Sequence, residues 1–236
     1  MGKVLFMRKG ETHTVPFACD PVFANNDWST IIEACQKNKV PDTWAVGDQK
    51  AMTINGKDYA IGIIGKHHDI YSDGSGTAPL TLRMLQTYSQ TYVINGSADN
   101  TTGWTNCSMR TAYFPTNFLP YMPYEVRTSI KEVNKLTSAG GQSSTIVTTA
   151  DKLFFLSEVE RYNTTSYSFV GEGKQYAYYA AGNYYPADTG PTWLRSPYKA
   201  NSQYWCYESL YNVYDKSYVS AYDANYNQYV AFAFCF

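Results

Sequence analysis

The chain has 236 residues, of which 44% are hydrophobic and 17% charged, and its formal net charge is -1. This composition is sufficient for a buried core in one large or two small domains. The near-neutral charge, without a run of Lys or Arg, offers no electrostatic basis for nucleic-acid binding, because phosphate recognition needs a clustered positive surface. We therefore expect no nucleic-acid partner.

The first residues contain a short apolar run, Val4 to Met7, with charged residues on both sides. A secretory signal needs about 7 to 15 apolar residues and a membrane-spanning helix about 20. We therefore expect no signal peptide, no membrane insertion and synthesis in the cytoplasm. The phrase KVLFMRKGETHT resembles the N-terminal strand of phage tail-associated proteins, which implies an attachment strand or tail over residues 1–20. A frayed terminus is the alternative.

Residues 26–39 have the apolar spacing of an amphipathic helix, with Trp28, Ile31, Ile32 and Cys35 on one face. The spacing i, i+3, i+4, i+7 places these side chains in one stripe. The sequence predicts a helix that buries this stripe.

A hairpin is predicted around Asn55 and Gly56, because both residues tolerate the positive φ of a tight turn. Apolar residues alternate on either side of this turn: Met52, Ile54, Tyr59, Ile61 and Ile63. The pattern predicts strand, turn, strand.

The segment 66–76 carries His67, His68, Asp69 and Asp73 close together. Such a set suggests a metal site, but adjacent histidines point to opposite sides of an extended chain and no later histidine completes the set. The calcium-loop pattern also fails, since it needs regularly spaced acids and a closing Glu. We favour a turn whose Asp and Ser side chains bind their own backbone, and we predict no metal.

The middle of the chain is less regular. Residues 95–125 predict a short helix and loops over the core. Pro123 to Leu136 predicts a helix, and the polar run 141–149 is expected to lead into a strand from Lys152 to Leu156.

Ser157 and Glu160 match a capping box, in which the N-cap side chain and the N3 carboxylate each bind a backbone amide. The alternative is a catalytic carboxylate pair of Glu158 and Glu160, as in glycosidases. Residues two apart on a helix do not face each other, so we favour capping or a structural ion pair.

The cysteines are odd in number and lack a CxxC spacing, which argues against a disulfide framework or a zinc site. We expect small buried hydrophobic residues at positions 19, 35, 107, 206 and 235, with a Cys206–Cys235 contact left open. No histidine lies near a nucleophile motif, and GEGKQ at 171–175 fails the phosphate-loop pattern. We predict no cofactor and no catalytic residue.

The segment 198–229 is unusually rich in tyrosine, with Tyr at 198, 204, 207, 211, 214, 218, 222, 226 and 229 among Asn, Ser, Asp, Glu and Gln. Tyrosine buries its ring while its hydroxyl stays solvated, and it loses little rotamer freedom on binding, as in antibody loops. A solvated antiparallel sheet explains part of this composition, since Tyr favours strands. The density exceeds what a sheet needs and indicates a binding surface. The tyrosines at 176, 178, 179, 184 and 185 either flank this surface or pack inside.

Several phrases resemble a bacterial and phage domain of uncharacterised function that is related to the formylglycine-generating-enzyme type of C-type lectin fold. They are WLRSP at 193–197 with Cys206 and the terminal VAFAFCF, then HHDIYSDGSGTAPLT, VNKLTSAGGQSSTIVTT, LFFLSEVE and GEGKQYAYYAAGN. The resemblance implies an α+β, C-type-lectin-like fold with a twisted antiparallel sheet over residues 21–236.

Some such domains are the variable proteins of diversity-generating retroelements, in which mutagenesis directed to adenines diversifies a C-terminal segment on a fixed scaffold. The resemblance implies a protein or glycan on a bacterial surface as partner, and a place on a phage tail or cell surface. Thirteen residues are the predicted ligand-binding set: Asn201, Tyr204, Tyr207, Glu208, Ser209, Tyr211, Tyr214, Asp215, Tyr218, Ser220, Tyr222, Asp223 and Tyr226.

Two other functions stay open. The tyrosines of a fixed structural tail or cell-surface module would make subunit contacts. An enzyme of the formylglycine-generating type would need a closely spaced cysteine pair near the end of the fold, whereas Cys206 and Cys235 are far apart in the sequence. We favour the binding protein.

Overall fold

The computed structural model describes residues 17–183, 190–209 and 218–236. Within these ranges the chain is mixed α+β, and its strands form open antiparallel sheets. The prediction of an α+β protein is confirmed at that level.

The described strands belong to a four-stranded sheet in the order β1-β2-β3-β9, a hairpin β4-β5 and a three-stranded sheet β6-β7-β8. Their bounds are β1 Gln49–Ile54, β2 Lys57–Lys66, β3 Leu80–Met84, β4 Val133–Gly140, β5 Ser143–Asp151, β6 Thr192–Pro197, β7 Tyr204–Ser209, β8 Tyr218–Asp223 and β9 Ala233–Cys235. The α-helices are α1 Trp28–Gln36, α2 Gly103–Asn106, α3 Tyr124–Ser129, α4 Glu158–Tyr162 and α5 Ala177–Ala180. A π-helix, Met109–Phe118, and short 3-10 turns at Phe23–Asn25 and Leu119–Tyr121 complete the described helical elements.

The predicted hairpin is confirmed. Asn55 and Gly56 have φ of 50° and 75°, and Ile54 pairs with Lys57 across the turn. Positive φ at both central residues is the geometry of a type I′ turn, which matches the twist of the flanking strands.

The first predicted helix is also confirmed, although α1 is shorter than 26–39 at both ends. Trp28, Ile31, Ile32 and Cys35 are all buried, as the stripe required. The chain leaves the helix through Asn38, whose φ is 50°. Asn tolerates this left-handed conformation better than most residues.

The helix predicted from Pro123 to Leu136 is wrong in its second half. The backbone of Ile130, which follows α3, is already extended, with ψ of 125°. Val133 then pairs with Asp151 in β5 and forms a bridge with Tyr71. Strand pairing with distant residues therefore overrides the local helical spacing.

The strand predicted over 152–156 is displaced toward the N-terminus. The polar run 141–149 belongs to the β4-β5 hairpin, and β5 ends at Asp151. Phe154 forms a single bridge with Ala233 of β9, with backbone bonds of 3.0 and 2.8 Å. The apolar residues after β5 thus join the core without forming a strand. Residues 95–125 contain short helices and loops, as predicted.

The last residues form the centre of the core. Val230 to Phe236 are all fully buried, and Leu82 of β3 pairs with Phe234 of β9. Buried side chains from Phe23 to Phe236 belong to one hydrophobic cluster. The attachment strand predicted over residues 1–20 lies almost entirely outside the described residues.

The capping box at the start of α4 is confirmed. Ser157 Oγ accepts a hydrogen bond of 3.0 Å from the Glu160 amide, and Glu160 Oε2 accepts one of 3.2 Å from the Ser157 amide. The Glu160 carboxylate also binds Arg195 of β6 on both oxygens. These bonds attach α4 to β6, next to the tyrosine-rich hairpin.

None of the described helices has the length and apolar character needed to cross a membrane.

Candidate ligand-binding surface

The hairpin β7-β8 carries much of the predicted ligand-binding set. Trp205 pairs with Tyr222, Tyr207 with Ser220 and Ser209 with Tyr218. Residues paired directly across antiparallel strands lie on one face, and their neighbours lie on the other. The register therefore divides the predicted set between two sides of the hairpin.

One side presents tyrosines to solvent. Tyr218 and Tyr222 are 44% and 42% exposed, whereas Val219 between them is buried. Tyr226, in the turn after β8, is 51% exposed and packs against Tyr222 with ring centroids 4.6 Å apart. We define the tyrosine face as Tyr207, Tyr218, Ser220, Tyr222 and Tyr226.

The other side carries a second aromatic group. The Tyr198 and Tyr204 rings stack with centroids 6.3 Å apart, and Tyr167 packs on Tyr198 at 5.3 Å. We call these three residues the tyrosine stack. Asp223 pairs with Tyr204 across the strands, and Asn201 lies in the turn before β7. The predicted residues Tyr204 and Asp223 therefore belong to this side, and Asn201 lies in the turn that leads into it.

Asn100 holds the turn before β7 through hydrogen bonds from its fully buried side chain. Its Nδ2 donates to the carbonyl oxygens of Tyr198, Asn201 and Tyr204 at 3.2, 3.1 and 2.7 Å. Its Oδ1 accepts from the Gly141 amide at 2.9 Å. The backbone of this turn is thus fixed independently of the side chains that it displays.

A buried carboxylate holds the loop that supplies Tyr167. Glu158 accepts hydrogen bonds from the amides of Ser166, Tyr167 and Ser168 at 2.7, 3.0 and 2.6 Å. It also accepts from Thr164 Oγ1 at 2.9 Å. Four donors satisfy this charge inside the protein, so Glu158 positions a loop. Sequence reasoning missed both Tyr167 and this role, because the loop lies outside the tyrosine-rich segment.

Two residues of the predicted set are not at the surface. Glu208 is 1% exposed and accepts from Arg161 Nε and Nη2 at 2.9 and 2.6 Å. Its other oxygen lies 3.6 Å from Arg83 Nη2, and Ser209 is also buried. Both faces of β7 are covered at this end of the strand, so Glu208 and Ser209 are buried although they lie on opposite sides. A buried charge needs a partner. Glu208 therefore supports the hairpin from beneath. We call the buried residues that do so, Asn100, Glu158, Arg161 and Glu208, the frame.

Tyr179 completes this buried cluster. The guanidinium groups of Arg161 and Arg83 lie 4.0 and 5.6 Å from its ring centroid, and its hydroxyl accepts from Arg83. Tyr176 is buried as well. Of the tyrosines that were expected to flank the surface or pack inside, these two are core residues.

Tyr211, Tyr214 and Asp215 of the predicted set lie outside the described residues, as do Tyr184 and Tyr185. The role of the whole set in ligand binding stays a prediction.

The thiols nearest the end of the chain are buried. Cys206 and Cys235 are fully inaccessible, and both are free cysteines, so the contact left open for them is not a disulfide. Burial raises the pKa of both thiols, which keeps them protonated. In the part of the chain that the structure describes, no three His, Cys, Asp or Glu residues lie close enough together to hold a metal ion.

The predicted turn after β2 has the expected local bonding, since Asp73 Oδ1 accepts from the Ser75 amide at 2.8 Å. Asp69 has a different place. It is buried and accepts from Lys135 Nζ at 2.7 Å and from Thr81 Oγ1 at 2.6 Å. The His67-His68-Asp69 sequence is therefore split between the surface and the interior.

Comparison with known proteins gives one family. Residues 81–235, more than half of the chain, match the model of a domain of unknown function, DUF6273. No curated protein and no solved structure matches the chain. The matched range contains β3, except for its first residue, and all strands from β4 to β9, with both sides of the tyrosine-rich hairpin. The chain therefore belongs to the DUF6273 family.

Proposed function

We propose that the protein binds a ligand through the tyrosine-rich hairpin, on a scaffold of the C-type-lectin-like, formylglycine-generating-enzyme type. The observation that carries the proposal is the tyrosine face, in which three exposed tyrosines lie along β8 and the turn after it. Large amphipathic rings at the surface supply contact area at low entropic cost.

The frame behind the hairpin supports this role. Asn100 binds the backbone of the turn before β7, Glu158 binds the loop that carries Tyr167, and Glu208 pairs with Arg161 in the core. A surface whose backbone is fixed before binding loses less conformational entropy when the ligand arrives. The side chains can then change while the frame stays constant.

This separation of frame and surface suits a diversified protein. We infer that the protein is a variable protein of a diversity-generating retroelement, on the basis of the mixture of Tyr, Ser, Asp and Asn in segment 198–229. The DNA of the locus tests this step. A near-copy of the segment's coding sequence that differs only at adenines, beside a reverse-transcriptase gene, is the expected finding. A locus without such a copy would leave a fixed binding protein.

We take the partner to be a protein or glycan on a bacterial surface, reached from a phage tail or from a cell surface. Binding rather than catalysis is our proposal, and it is consistent with the burial of both thiols near the end of the chain.

Binding to whole cells tests the surface directly. The fluorescently labelled protein is incubated with a panel of bacterial strains, and bound protein is measured by flow cytometry. We expect staining of particular strains by the wild type and its loss from a variant with Tyr218, Tyr222 and Tyr226 changed to Ser. The matched control changes three exposed residues elsewhere, Tyr121, Tyr124 and Val22, to Ser and should stain as the wild type does.

The fixed structural module makes a different prediction. Its tyrosines would be buried between copies, so the wild type would form a concentration-dependent oligomer that the triple tyrosine variant cannot form. Sedimentation velocity at several concentrations separates the two functions. An oligomer that disappears in the variant, together with no strain-specific staining, would contradict the proposed binding function.

A further inference from the structure

A cleft of about 460 Å³ opens beside β4, with a lining different from that of the tyrosine face. Three stretches of chain form most of its wall, residues 67–70, 134–136 and 173–174. Its volume falls within the range of about 300 to 1,000 Å³ that is typical of small-molecule sites. The cleft is therefore large enough for a small organic ligand.

The floor of the cleft is a buried ionic network. Lys135 Nζ donates to Asp69 Oδ1 at 2.7 Å and to Tyr176 Oη at 3.0 Å, and lies 2.7 Å from Glu160 Oε1. Lys135, Asp69 and Glu160 are each at least 95% buried. The first two contacts are hydrogen bonds and the third is an ion pair, so the Lys135 ammonium is paired inside the protein.

The acids of the floor are equally occupied. Glu160 also binds Arg195, and Asp69 also accepts from Thr81 and Tyr176. Burial alone would raise the pKa of the Asp69 carboxyl, but the Lys135 ammonium holds it below its usual range. Both carboxylates thus stay ionised and paired, and neither offers a free charge to a cationic ligand.

The mouth of the cleft carries donors instead. Lys174 and His67 are exposed, and Asn134 is half-buried. In the described ranges, no carboxylate lies within ion-pair distance of the Lys174 ammonium. His68 stacks on Tyr176 at 3.9 Å, and burial lowers its pKa, so this ring is neutral at pH 7. Lys174 therefore supplies positive charge that nothing in the described structure neutralises.

Apolar side chains and bare backbone complete the wall. Ile70 and Leu136 are 55% and 38% exposed beside the donors. Gly173 has φ of 106°, and a Cβ there would lie 2.8 Å from Glu160 Oε1. A larger residue would strike the ionic floor, so glycine leaves this part of the cleft open.

From this arrangement we propose that the cleft binds a small organic anion. Lys174, with the side-chain N–H groups of His67 and Asn134, holds the anionic head, and Ile70 and Leu136 contact an apolar body. The occupied acids of the floor favour an anion over a cation. This site is independent of the ligand-binding function proposed for the tyrosine face.

Two related dyes test the proposal by fluorescence titration at pH 8. The first is 8-anilinonaphthalene-1-sulfonate, an apolar body with an anionic head, and the second is the uncharged N-phenyl-1-naphthylamine. We expect the sulfonate to bind to the wild type and the uncharged dye to bind at least about tenfold more weakly, the loss of one charge-assisted contact. Lys174→Met removes the charge but keeps an apolar stem, and should weaken binding of the sulfonate by about the same factor.

Controls distinguish this cleft from other surfaces. Lys39→Met changes another exposed lysine and should leave sulfonate binding unchanged, as should the variant with Tyr218, Tyr222 and Tyr226 changed to Ser. Near-ultraviolet circular dichroism confirms that each variant is folded. Equal affinity for both dyes, equal losses from Lys39→Met and Lys174→Met, or loss of binding from the tyrosine variant alone would each overturn the proposal.

Discussion

Arg161 and Glu208 form a buried ion pair beneath the tyrosine-rich hairpin, with Arg161 Nε and Nη2 2.9 and 2.6 Å from the same carboxylate oxygen. The pair joins α4 to β7, and both side chains are about 1% exposed. The guanidinium pKa is raised: burial alone would lower it, but the attraction of Glu208 outweighs that effect. The Arg161 guanidinium therefore stays charged although it is buried.

Glu208→Ala should lower the free energy of unfolding by about 3 to 5 kcal/mol, because it leaves the Arg161 charge buried and without its carboxylate. Urea unfolding followed by circular dichroism measures the change. Glu125→Ala, at an exposed carboxylate in α3, is the matched control and should change stability by about 0.5 kcal/mol or less. If Glu208→Ala unfolds with the same free energy as the wild type, Glu208 is not a structural residue and is again a candidate ligand contact.

The tyrosine face should contribute little to folding. We expect each of Tyr218→Ser, Tyr222→Ser and Tyr226→Ser to change the free energy of unfolding by about 1.5 kcal/mol or less, since these rings are exposed and lose at most the Tyr222–Tyr226 ring contact. Tyr88→Ser is the contrast: Tyr88 is 2% exposed and packs on Phe118 at 5.0 Å, so its loss should cost about 3 kcal/mol or more. A comparable loss from the surface variants would show that these tyrosines are packing residues.

Asn100→Ala should loosen the turn before β7. The variant removes a donor from three backbone carbonyls. Those of Asn201 and Tyr204 also accept from the Tyr204 and Tyr198 amides, so we expect a cost at the lower end of about 1 to 3 kcal/mol. Hydrogen exchange followed by mass spectrometry should show faster exchange in residues 198–204 than in the wild type. Asn106→Ala, at an exposed Asn, should leave exchange there unchanged. Faster exchange spread evenly over the chain would instead indicate global destabilisation.

Glu172 gives stability an unusual pH dependence. Burial raises the pKa of its carboxyl from 4.5 to about 7, although the Ser196 hydroxyl and the Ser138 amide favour the ionised form. Between these two values the folded protein binds more protons at this site than the unfolded chain. The contribution of Glu172 to stability therefore falls as the pH rises from 5 to 8, by about 3 kcal/mol at most.

The isosteric variant Glu172→Gln isolates this effect. His68, whose pKa is lowered by burial, makes an opposite contribution that is lost as the pH falls, and it is present in both proteins. The unfolding free energy of Glu172→Gln minus that of the wild type should thus rise between pH 5 and pH 8. Parallel stability curves for the two proteins would contradict the raised pKa.

The parts of the fold that depend on neighbouring residues could be predicted from the sequence. The type I′ turn at Asn55-Gly56 and the capping box of Ser157 and Glu160 each need four residues and follow from local hydrogen bonding and φ preferences. The helix predicted from Pro123 to Leu136 was too long because Val133 pairs with Asp151, and no local pattern contains that pairing.

The candidate site shows the same division. Composition pointed to the tyrosine-rich hairpin, but it could not assign its residues to faces, because the face depends on the register between β7 and β8. Alternation along β7 would not have identified the buried residues either, because Trp205 and Ser209 lie on the same face as Tyr207 and are buried. The network of Asp69, Lys135 and Glu160 joins three distant segments. The one local indication of this network in the sequence was Lys135, a charged residue at a position of β4 that faces the core.

The hydrogen bonds of Asn100 have a consequence for how this protein can change. Main-chain carbonyl oxygens at three positions accept these hydrogen bonds. Any residue that adopts the same backbone conformation provides the same oxygen there. Replacement of one displayed side chain by another leaves the contacts intact, whereas one inserted or deleted residue between Tyr198 and Tyr204 moves the oxygens out of reach. We therefore expect this turn to tolerate many substitutions but almost no insertions or deletions.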